Sequence, residues 1–385
     1  MELFKANKQW ASRPVDERFW SIPEAAAVCK EYADNSTVMD VPYSSVRVEV
    51  SGEELRLGAV NAVGVPDSKL SNYAFGQLCG RGAPTAPAGY LRKLPPTLAA
   101  QNLNFVLKNR SDDHQANLLI QKVNGDTLLR ASVSDIYSRL WNWEIFNRLS
   151  EIPRGWRTPP AAAAIHHDPR ARPATEADLV ASSSVKLGDM IAPAGIYASD
   201  HDMFVFMVND DNRIDENLSR GFFIWNSEVG DTSFGVTLFW YNHVCANHIV
   251  WNAKNVVEFK VRHVGDIRSR YFKNVVAEIQ KYSDSSISDE RAMVESAKTV
   301  TLGNTKDEVV KAILGIVTKK RILGLPKSTA NIAYDIAEQY TDRYGDPNTL
   351  WAQVNGITQY SQSVPYADER LALDRAAGKL LAAVN

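Results

Sequence analysis

The stretch Arg220–Trp251 constrains the fold more than any other part of the chain. It is the most apolar and aromatic segment, and in its second half the apolar residues occupy both faces of an extended strand. One face would carry Phe234, Val236, Leu238 and Trp240, and the other Phe239, Tyr241 and Cys245. A strand that is apolar on both faces is typical of the centre of a sheet and not of its edge. The segment therefore predicts one or two long central strands.

Period-two alternation and turn residues predict further strands on both sides of this segment. One predicted hairpin pairs Val46–Val50 with Leu55–Leu57, and a second pairs Asn117–Val123 with Thr127–Val133 around Asn124-Gly125. Further strands are predicted at Ile196–Ala198, Met203–Val208 and Phe222–Trp225. An Asn-Gly pair favours a tight hairpin turn because both residues tolerate a positive φ.

Helical spacing and capping residues predict helices at both ends of the chain. Three helices are predicted to begin at Pro23, Ser71 and Thr97. A fourth is predicted from a cap at Ser134 through Arg148, with Ile136, Leu140, Trp141 and Phe146 buried. After residue 274, further helices are predicted with caps at Thr305, Ser328 and Asp346, and the last helix is Ala367–Val384. We therefore expect an α+β fold, with an antiparallel or mixed sheet body and a C-terminal helical subdomain.

Composition shifts divide the chain into four regions. We expect an N-terminal α+β region at 1–150, a Pro/Ala-rich loop or lid at 151–185, a central β-rich region at 186–273 and the helical subdomain at 274–385. The loop has little apolar surface to bury, so we expect it to be exposed and weakly ordered.

Composition also limits the classes of function. The net charge of -2 over 385 residues gives no global attraction to nucleic acid or membrane, so any such binding needs a local patch. Three widely spaced cysteines argue against a disulfide framework, and no apolar run approaches the length of about 18 residues that a membrane span needs. We expect a cytoplasmic protein with no membrane association.

Several segments together resemble the proteins grouped as domain of unknown function 932. The residues that carry the resemblance are Ala74–Cys79, Tyr90–Pro95, Leu98–Asn104, Leu129–Tyr137, Pro193–Asp200, Asn226–Gly230, Val244–Asn247, Val261–Val264 and Leu350–Thr358. The resemblance implies a protein of a phage, prophage or plasmid and implies no activity. Where the family tends to have glycine after Cys-x-Asn, this chain has His248.

His243, Cys245 and His248 are spaced closely enough to suggest zinc. On a strand, however, His243 and Cys245 point to one side and His248 to the other, and no second Cys/His cluster completes a site. We therefore expect no metal and no cofactor.

Polar residues in two places are candidates for ligand binding. Asn226, Ser227 and Glu228 interrupt the apolar stretch, either as a turn that ties down neighbouring amides or as a ligand or catalytic set. Arg130, Asp135 and Tyr137 lie where a strand meets a predicted helix, and Arg130 and Asp135 suit either an anionic ligand or an internal ion pair. No catalytic residue is assigned.

Basic residues with interleaved aromatics are the remaining signal, because sequence-neutral single-strand binding uses this combination. The candidates for nucleic-acid binding are Lys260, Arg262, Arg268, Arg270, Tyr271, Lys273, Arg92 and Lys93. Arg81 adjoins the last pair, and Lys319, Lys320, Arg321 and Lys327 form a further cluster.

Three functions stay open at this point. The favoured hypothesis is a non-enzymatic nucleic-acid-binding protein, with single-stranded DNA as partner, that aids recombination or replication. An enzyme or a phosphate or nucleotide binder with a site at Asn226–Gly230 is the second, and an interaction protein that counters a host defence factor is the third. A homo-oligomer stays open in each case.

Overall fold

The fold is given by a computed structural model of the chain. It describes residues 15–58, 64–110, 114–152, 155–158, 169–176, 178, 186–193, 195–216, 218–242, 248–250, 258–364 and 367–384.

The first sheet has six strands and contains the N-terminal hairpins. Its strands are β1 (Ser36–Pro42), β2 (Val48–Ser51), β3 (Glu54–Leu57), β4 (Ser68–Leu70), β5 (Gln115–Val123) and β6 (Asp126–Ser134), in the order β1-β5-β6-β4-β3-β2. Every pairing is antiparallel except that of β4 with β6. The predicted Asn124-Gly125 turn is confirmed, because both residues have positive φ, 51° and 84°, between β5 and β6.

The second sheet is antiparallel and contains the apolar stretch. Its strands are β7 (Trp156–Arg157), β10 (Ile196–Ala198), β11 (Met203–Arg213), β12 (Leu218–Asn226), β13 (Phe234–Asn242), β14 (His248–Val250) and β15 (Glu258–Val261), while β8 (Arg172–Pro173) and β9 (Met190–Ile191) form a separate pair. Strand β13 lies between β12 on one side and β14 and β15 on the other, so the predicted central strand is confirmed. Phe234 and Leu238 pack into a core shared with helices, and Phe239 belongs to an aromatic cluster on the opposite face.

Helices cover the sheets and form the C-terminal part. Among the described residues they are α1 (Ile22–Asp34), α2 (Asn72–Gln77), α3 (Ala88–Leu91), α4 (Pro96–Lys108), α5 (Asn142–Arg148), α6 (Ile267–Asp284), α7 (Ser288–Thr299), α8 (Lys306–Lys320), α9 (Lys327–Gln339), α10 (Thr341–Tyr344), α11 (Leu350–Ser363) and α12 (Ala367–Val384). Helices α2 and α4 pack on one face of the first sheet, and α1, α5 and α6 pack on the second. The predicted α+β class with a helical C-terminal region is confirmed.

A buried arginine joins the second sheet to the C-terminal helices. Arg220 on β12 pairs with Glu290 on α7, and its guanidinium also donates to the carbonyl oxygens of Ser285 and Ser286, at 2.8 and 3.0 Å. Glu290 also accepts from the indole N–H of Trp240, on the neighbouring strand. A charge this deeply buried requires such a full set of partners.

The predicted helix from Ser134 through Arg148 is wrong in its first half. Strand β6 continues to Ser134, residues 135–141 form a turn and an extended segment, and α5 begins only at Asn142. Ile136, expected to be buried, is 68% exposed. The extended segment is held from outside, since the Ser138 N–H donates to the His263 carbonyl at 2.8 Å.

Two of the later caps also differ from expectation. Pro326 and not Ser328 precedes α9, and α11 is capped by Thr349, whose side chain accepts from the Ala352 N–H. The cap at Thr305 is confirmed, because its side chain accepts from the Glu308 N–H.

Part of the region 151–185 is anchored to the body. Trp156–Arg157 pairs with β11, and Arg170 donates to the Glu24 side chain on α1 at 2.6 Å. Residues 153–154, 159–168, 177 and 179–185 lie outside the described residues, so the order of the whole region and the proposed region boundaries stay predictions.

The sheet packing makes a stability prediction at Gly235. A Cβ added there would lie 2.0 Å from Cζ2 of Trp225, which is fully buried. We expect Gly235→Ala to lower the free energy of unfolding by about 1–3 kcal/mol, as overpacking does. Gly315→Ala is the control, because its Cβ would meet nothing within 4 Å on α8, and it should raise stability by roughly 0.5–1 kcal/mol. Urea unfolding measures both, and equal stabilities would contradict the prediction.

Candidate functional site

The turn that follows β12 organises the contact between the two sheets. Asn226, Ser227 and Glu228 are almost completely buried there, at 0%, 0% and 1% exposure. The Asn226 amide donates to the Leu140 carbonyl at 2.9 Å and to the Asn142 side chain at 2.7 Å. This agrees with a turn that ties down its neighbours, the structural alternative that the sequence allowed.

Ser227 uses its hydroxyl inside the turn. The hydroxyl donates to the His201 carbonyl at 2.7 Å and accepts from the N–H groups of Val229 and Asp231, at 3.3 and 3.0 Å. Because its proton is committed to a carbonyl, the geometry offers no support for Ser227 as a nucleophile.

Glu228 forms the buried ion pair of the site. Its Oε2 lies 3.4 Å from Nη2 of Arg130 on β6, and its Oε1 accepts from the Asn142 N–H at 2.7 Å. Burial raises the pKa of the Glu228 carboxyl, and Arg130, the Asn142 N–H and Arg139 oppose that shift. The guanidinium of Arg130 also donates to the Asp200 carbonyl. The pair therefore fastens the first sheet to the turn of the second.

The internal Arg130–Asp135 pair that the sequence allowed is not formed. Asp135 is exposed beyond the end of β6, and its Oδ1 accepts from the Ile136 N–H at 3.0 Å. Arg130 instead points between the sheets, where Glu228 provides the carboxylate. For the Nε and Nη1 atoms of Arg130, the described residues provide no hydrogen-bond partner.

A second arginine, Arg139, lies between two aromatic rings. Its Nε donates to the Glu228 carbonyl at 2.8 Å and its Nη2 to the Asn117 side chain at 3.2 Å. Its guanidinium lies 5.4 Å from the ring centre of Tyr137 and 5.6 Å from that of Trp141. Sequence reasoning missed Arg139 and Trp141, although the pattern Tyr-x-Arg-x-Trp is the period-two signal of an extended segment.

Tyr137 connects this segment to the loop after β15. Its hydroxyl donates to the Ser227 carbonyl at 2.8 Å, and its ring stacks on His263 with centroids 4.9 Å apart. His263 is buried, and burial lowers its pKa to about 4. The imidazole is therefore neutral near neutral pH.

A cationic groove opens directly beside the turn. Its lining consists of Gly230, Asp231, Thr232, Ser233, Lys260 and Arg262, and its volume is about 350 Å³. Lys260 on β15 and Arg262 just after it are both exposed. The structure thus places two predicted nucleic-acid-binding residues in one groove with the 230–233 loop, where Asp231 is an acidic neighbour.

Arg81 lies close enough to Tyr73 and Tyr137 to affect the pKa values of both. Burial raises the pKa of Tyr73, Asp231 raises it further, and Arg81 lies near enough to oppose the shift. Arg81 opposes the shift of the Tyr137 pKa in the same way. The Arg81 side chain is exposed.

Of the other candidates for nucleic-acid binding, only Arg92 and Lys93 have side chains that the structure describes. The Arg92 guanidinium donates to the Asn72 carbonyl at 2.9 Å and packs over the Phe75 ring, so it makes contacts within the fold. Lys93 is exposed. Positions 268 and 270 both fall in the first turn of α6. Successive helical residues turn by about 100°, so these two positions lie about 200° apart around the helix. The side chains of Arg268, Arg270, Tyr271 and Lys273 lie outside the described residues.

The described part of the chain shows neither a metal cluster nor a membrane span. No group of three or more His, Cys, Asp or Glu side chains in that part could hold a metal ion, and His243 and Cys245 lie outside it. None of the described helices is both long enough and apolar enough to cross a bilayer. The absence of a metal stays a prediction.

Fold and site define a two-sheet α+β protein with a buried ion pair behind a cationic groove. The family model Domain of unknown function (DUF932) matches residues 174–377, more than half of the chain. The protein belongs to this family, as the sequence resemblance predicted. No curated protein and no solved structure matches the chain. An association with phages or plasmids stays a prediction.

The buried ion pair leads to a stability prediction. Glu228→Gln keeps the side-chain shape but leaves Arg130 buried without a counter-charge, so we expect a loss of roughly 3–5 kcal/mol. The control is Asp126→Asn, which breaks the exposed ion pair between Asp126 and Lys69. These side chains are 58% and 41% exposed, so the free energy of unfolding should change little. Unfolding of the Glu228→Gln protein at the wild-type urea concentration would show that the pair is dispensable.

His263 leads to a pH prediction. Its folded pKa of about 4 lies below the unfolded value of about 6.5, so between these values the unfolded chain binds a proton that the fold does not. Stability should therefore fall as the pH drops from about 6.5 to about 4. His263→Asn should remove on the order of 2–3 kcal/mol of that fall, measured by urea unfolding across this range.

His201→Asn is the control, because the pKa of His201 is shifted in the opposite direction to that of His263. Burial lowers the pKa of His201, but pairing with Asp200 outweighs it, so the net shift is upward. The stabilisation from this pair is present at low pH and is lost as the pH rises through the folded pKa. An unchanged pH profile in His263→Asn would contradict the role of His263.

Proposed function

We propose that the protein binds single-stranded nucleic acid through the cationic groove. The observation that carries the proposal is the placement of exposed Lys260 and Arg262 along one groove with residues 230–233. Because the chain is slightly negative overall, only such a local concentration of cations can attract a phosphate backbone.

The shape of the groove supports a single strand over a duplex. A concavity of about 350 Å³ can take a phosphate with part of its nucleotide. Proteins that read a duplex insert a helix or a β-ribbon into its major groove, and a concavity presents no such element. The Tyr137 ring lies beside the groove, since a Cβ at Gly230 would come within 3.4 Å of it, and single-strand sites combine aromatic rings with cations.

A ligand role for Asn226, Ser227 and Glu228 receives less support. Their side chains are at most 1% exposed and are hydrogen-bonded within the fold, so a ligand would have to open the turn to reach them. The enzyme hypothesis and the interaction with a host factor have no specific contact in their favour. We therefore propose a binding protein in which the turn supports the groove.

The test is binding of a labelled single-stranded oligonucleotide, followed by fluorescence anisotropy over a salt series. Lys260→Ala with Arg262→Ala should weaken binding and reduce the slope of log affinity against log salt by roughly 0.7 for each phosphate that is no longer neutralised. Asp231→Asn should strengthen binding, because it removes the acidic group of the groove. The control is Lys319→Ala with Lys320→Ala, an equal change of charge at exposed positions on α8.

Two results would overturn the proposal. One is absence of binding by the wild-type protein at low salt. The other is equal weakening by the groove variant and the α8 control, which would mean that only net charge matters. Duplex of the same sequence should compete poorly, and equal competition would contradict the preference for a single strand.

A further inference from the structure

A second pocket lies beside the groove and is lined by residues of the extended segment. Its lining is Val38, Asn117, Tyr137, Ser138, Arg139, Trp141 and Asp266, and its volume is about 290 Å³. Drug-sized ligands fill pockets of roughly 300 to 1,000 Å³, so this one suits a single flat ring system.

The chemistry of the lining favours stacking. Tyr137, Arg139 and Trp141 alternate along an extended segment, so they share one side of the chain. The Arg139 guanidinium is buried between the Tyr137 and Trp141 rings and is fixed by its bonds to the Glu228 carbonyl and to Asn117. It therefore holds both rings in place, and an aromatic ring stacks favourably on a flat ligand. A flat aromatic ligand would meet a rigid surface and lose little conformational entropy on binding.

The pocket offers little for reading the edge of a base. The Asn117 side chain donates one N–H to Asp40 at 2.8 Å, and its oxygen accepts from Arg139 at 3.2 Å, so its oxygen and one of its two N–H groups are used within the fold. Recognition there would rest on the π-face, which every nucleobase has, and would tolerate any sequence.

The pocket and the groove adjoin through Tyr137 and His263. The Tyr137 ring lies next to Gly230 of the groove, since a Cβ at Gly230 would come within 3.4 Å of that ring. His263, which stacks on Tyr137, directly follows Arg262 of the groove and precedes Asp266 of the pocket by three residues. A strand with a phosphate in the groove would therefore have a neighbouring base at the pocket.

We infer that this second pocket is a stacking site for one nucleobase, with the Trp141 ring as its stacking surface and the buried Arg139 guanidinium packed beside that ring. The inference rests on the proposed function, because it supplies the base-binding half of a site whose phosphate-binding half is the groove.

The test uses a single-stranded oligonucleotide that carries 2-aminopurine at one position and a distant label. Anisotropy of the label reports binding, and emission of the 2-aminopurine falls when that base stacks. We expect both changes in the wild-type protein for one register of the analogue. In Trp141→Ala the emission change should disappear while binding persists, and Trp141→Phe should keep part of it.

The control variant is Trp143→Phe, because Trp143 does not line the pocket. Its side chain packs against the core that the second sheet shares with α1, α5 and α6, and it lies near Lys30. The variant should leave both signals unchanged. A second test changes the oligonucleotide and not the protein, so it remains valid if Trp141→Ala does not fold. Replacing the base at the sensitive position by an abasic site should weaken binding at least about five-fold, whereas exchanging one base for another should change it little.

The outcomes separate the two proposals. Binding without any emission change, together with equal affinity for the abasic strand, would overturn the stacking site and leave the groove standing. No anisotropy change at low salt would overturn both. A strong preference among the four bases would contradict the stacking site as well, because it requires a hydrogen-bonded edge.

Discussion

The ion pair of Arg130 and Glu228 is the interaction on which the rest of the structure depends. Neither charge reaches solvent, and each would be strongly destabilising alone, since a buried ion needs a partner and hydrogen bonds. The Asn142 N–H and the Asp200 carbonyl complete part of that environment. The pair therefore fixes the position of β6, the start of α5 and the turn after β12 relative to one another.

This arrangement explains how a rigid groove arises next to a core. The chain leaves the buried Glu228 and reaches the groove only two residues later, at Gly230, whose φ of 76° permits the change of direction. The Ser227 hydroxyl holds the Asp231 N–H at the same point. A loop fixed in this way loses little freedom when a ligand binds, which is the advantage of pre-organisation.

Local patterns in the sequence predicted the elements better than the site. The Asn124-Gly125 turn and the two apolar faces of β13 depend on neighbouring residues, so they were readable. Arg130 and Glu228 are separated by 98 residues, and nothing in either local sequence selects the other as partner. The segment 135–141 was wrongly predicted to be helical for a related reason. Its extended form depends on contacts with residues 263 and 264, which are distant in the sequence.

The extent of the family match bears on which part of the chain forms the functional unit. The match begins at residue 174 and so includes Glu228, Lys260 and Arg262 but not Arg130, Arg139 or Trp141. Without the first sheet and α5, which both precede the match, Glu228 would lose its arginine and the hydrogen bond from Asn142. An uncompensated carboxylate at the centre of the turn would destabilise the loop that lines the groove. The groove therefore requires both sheets, although the family model spans only one of them.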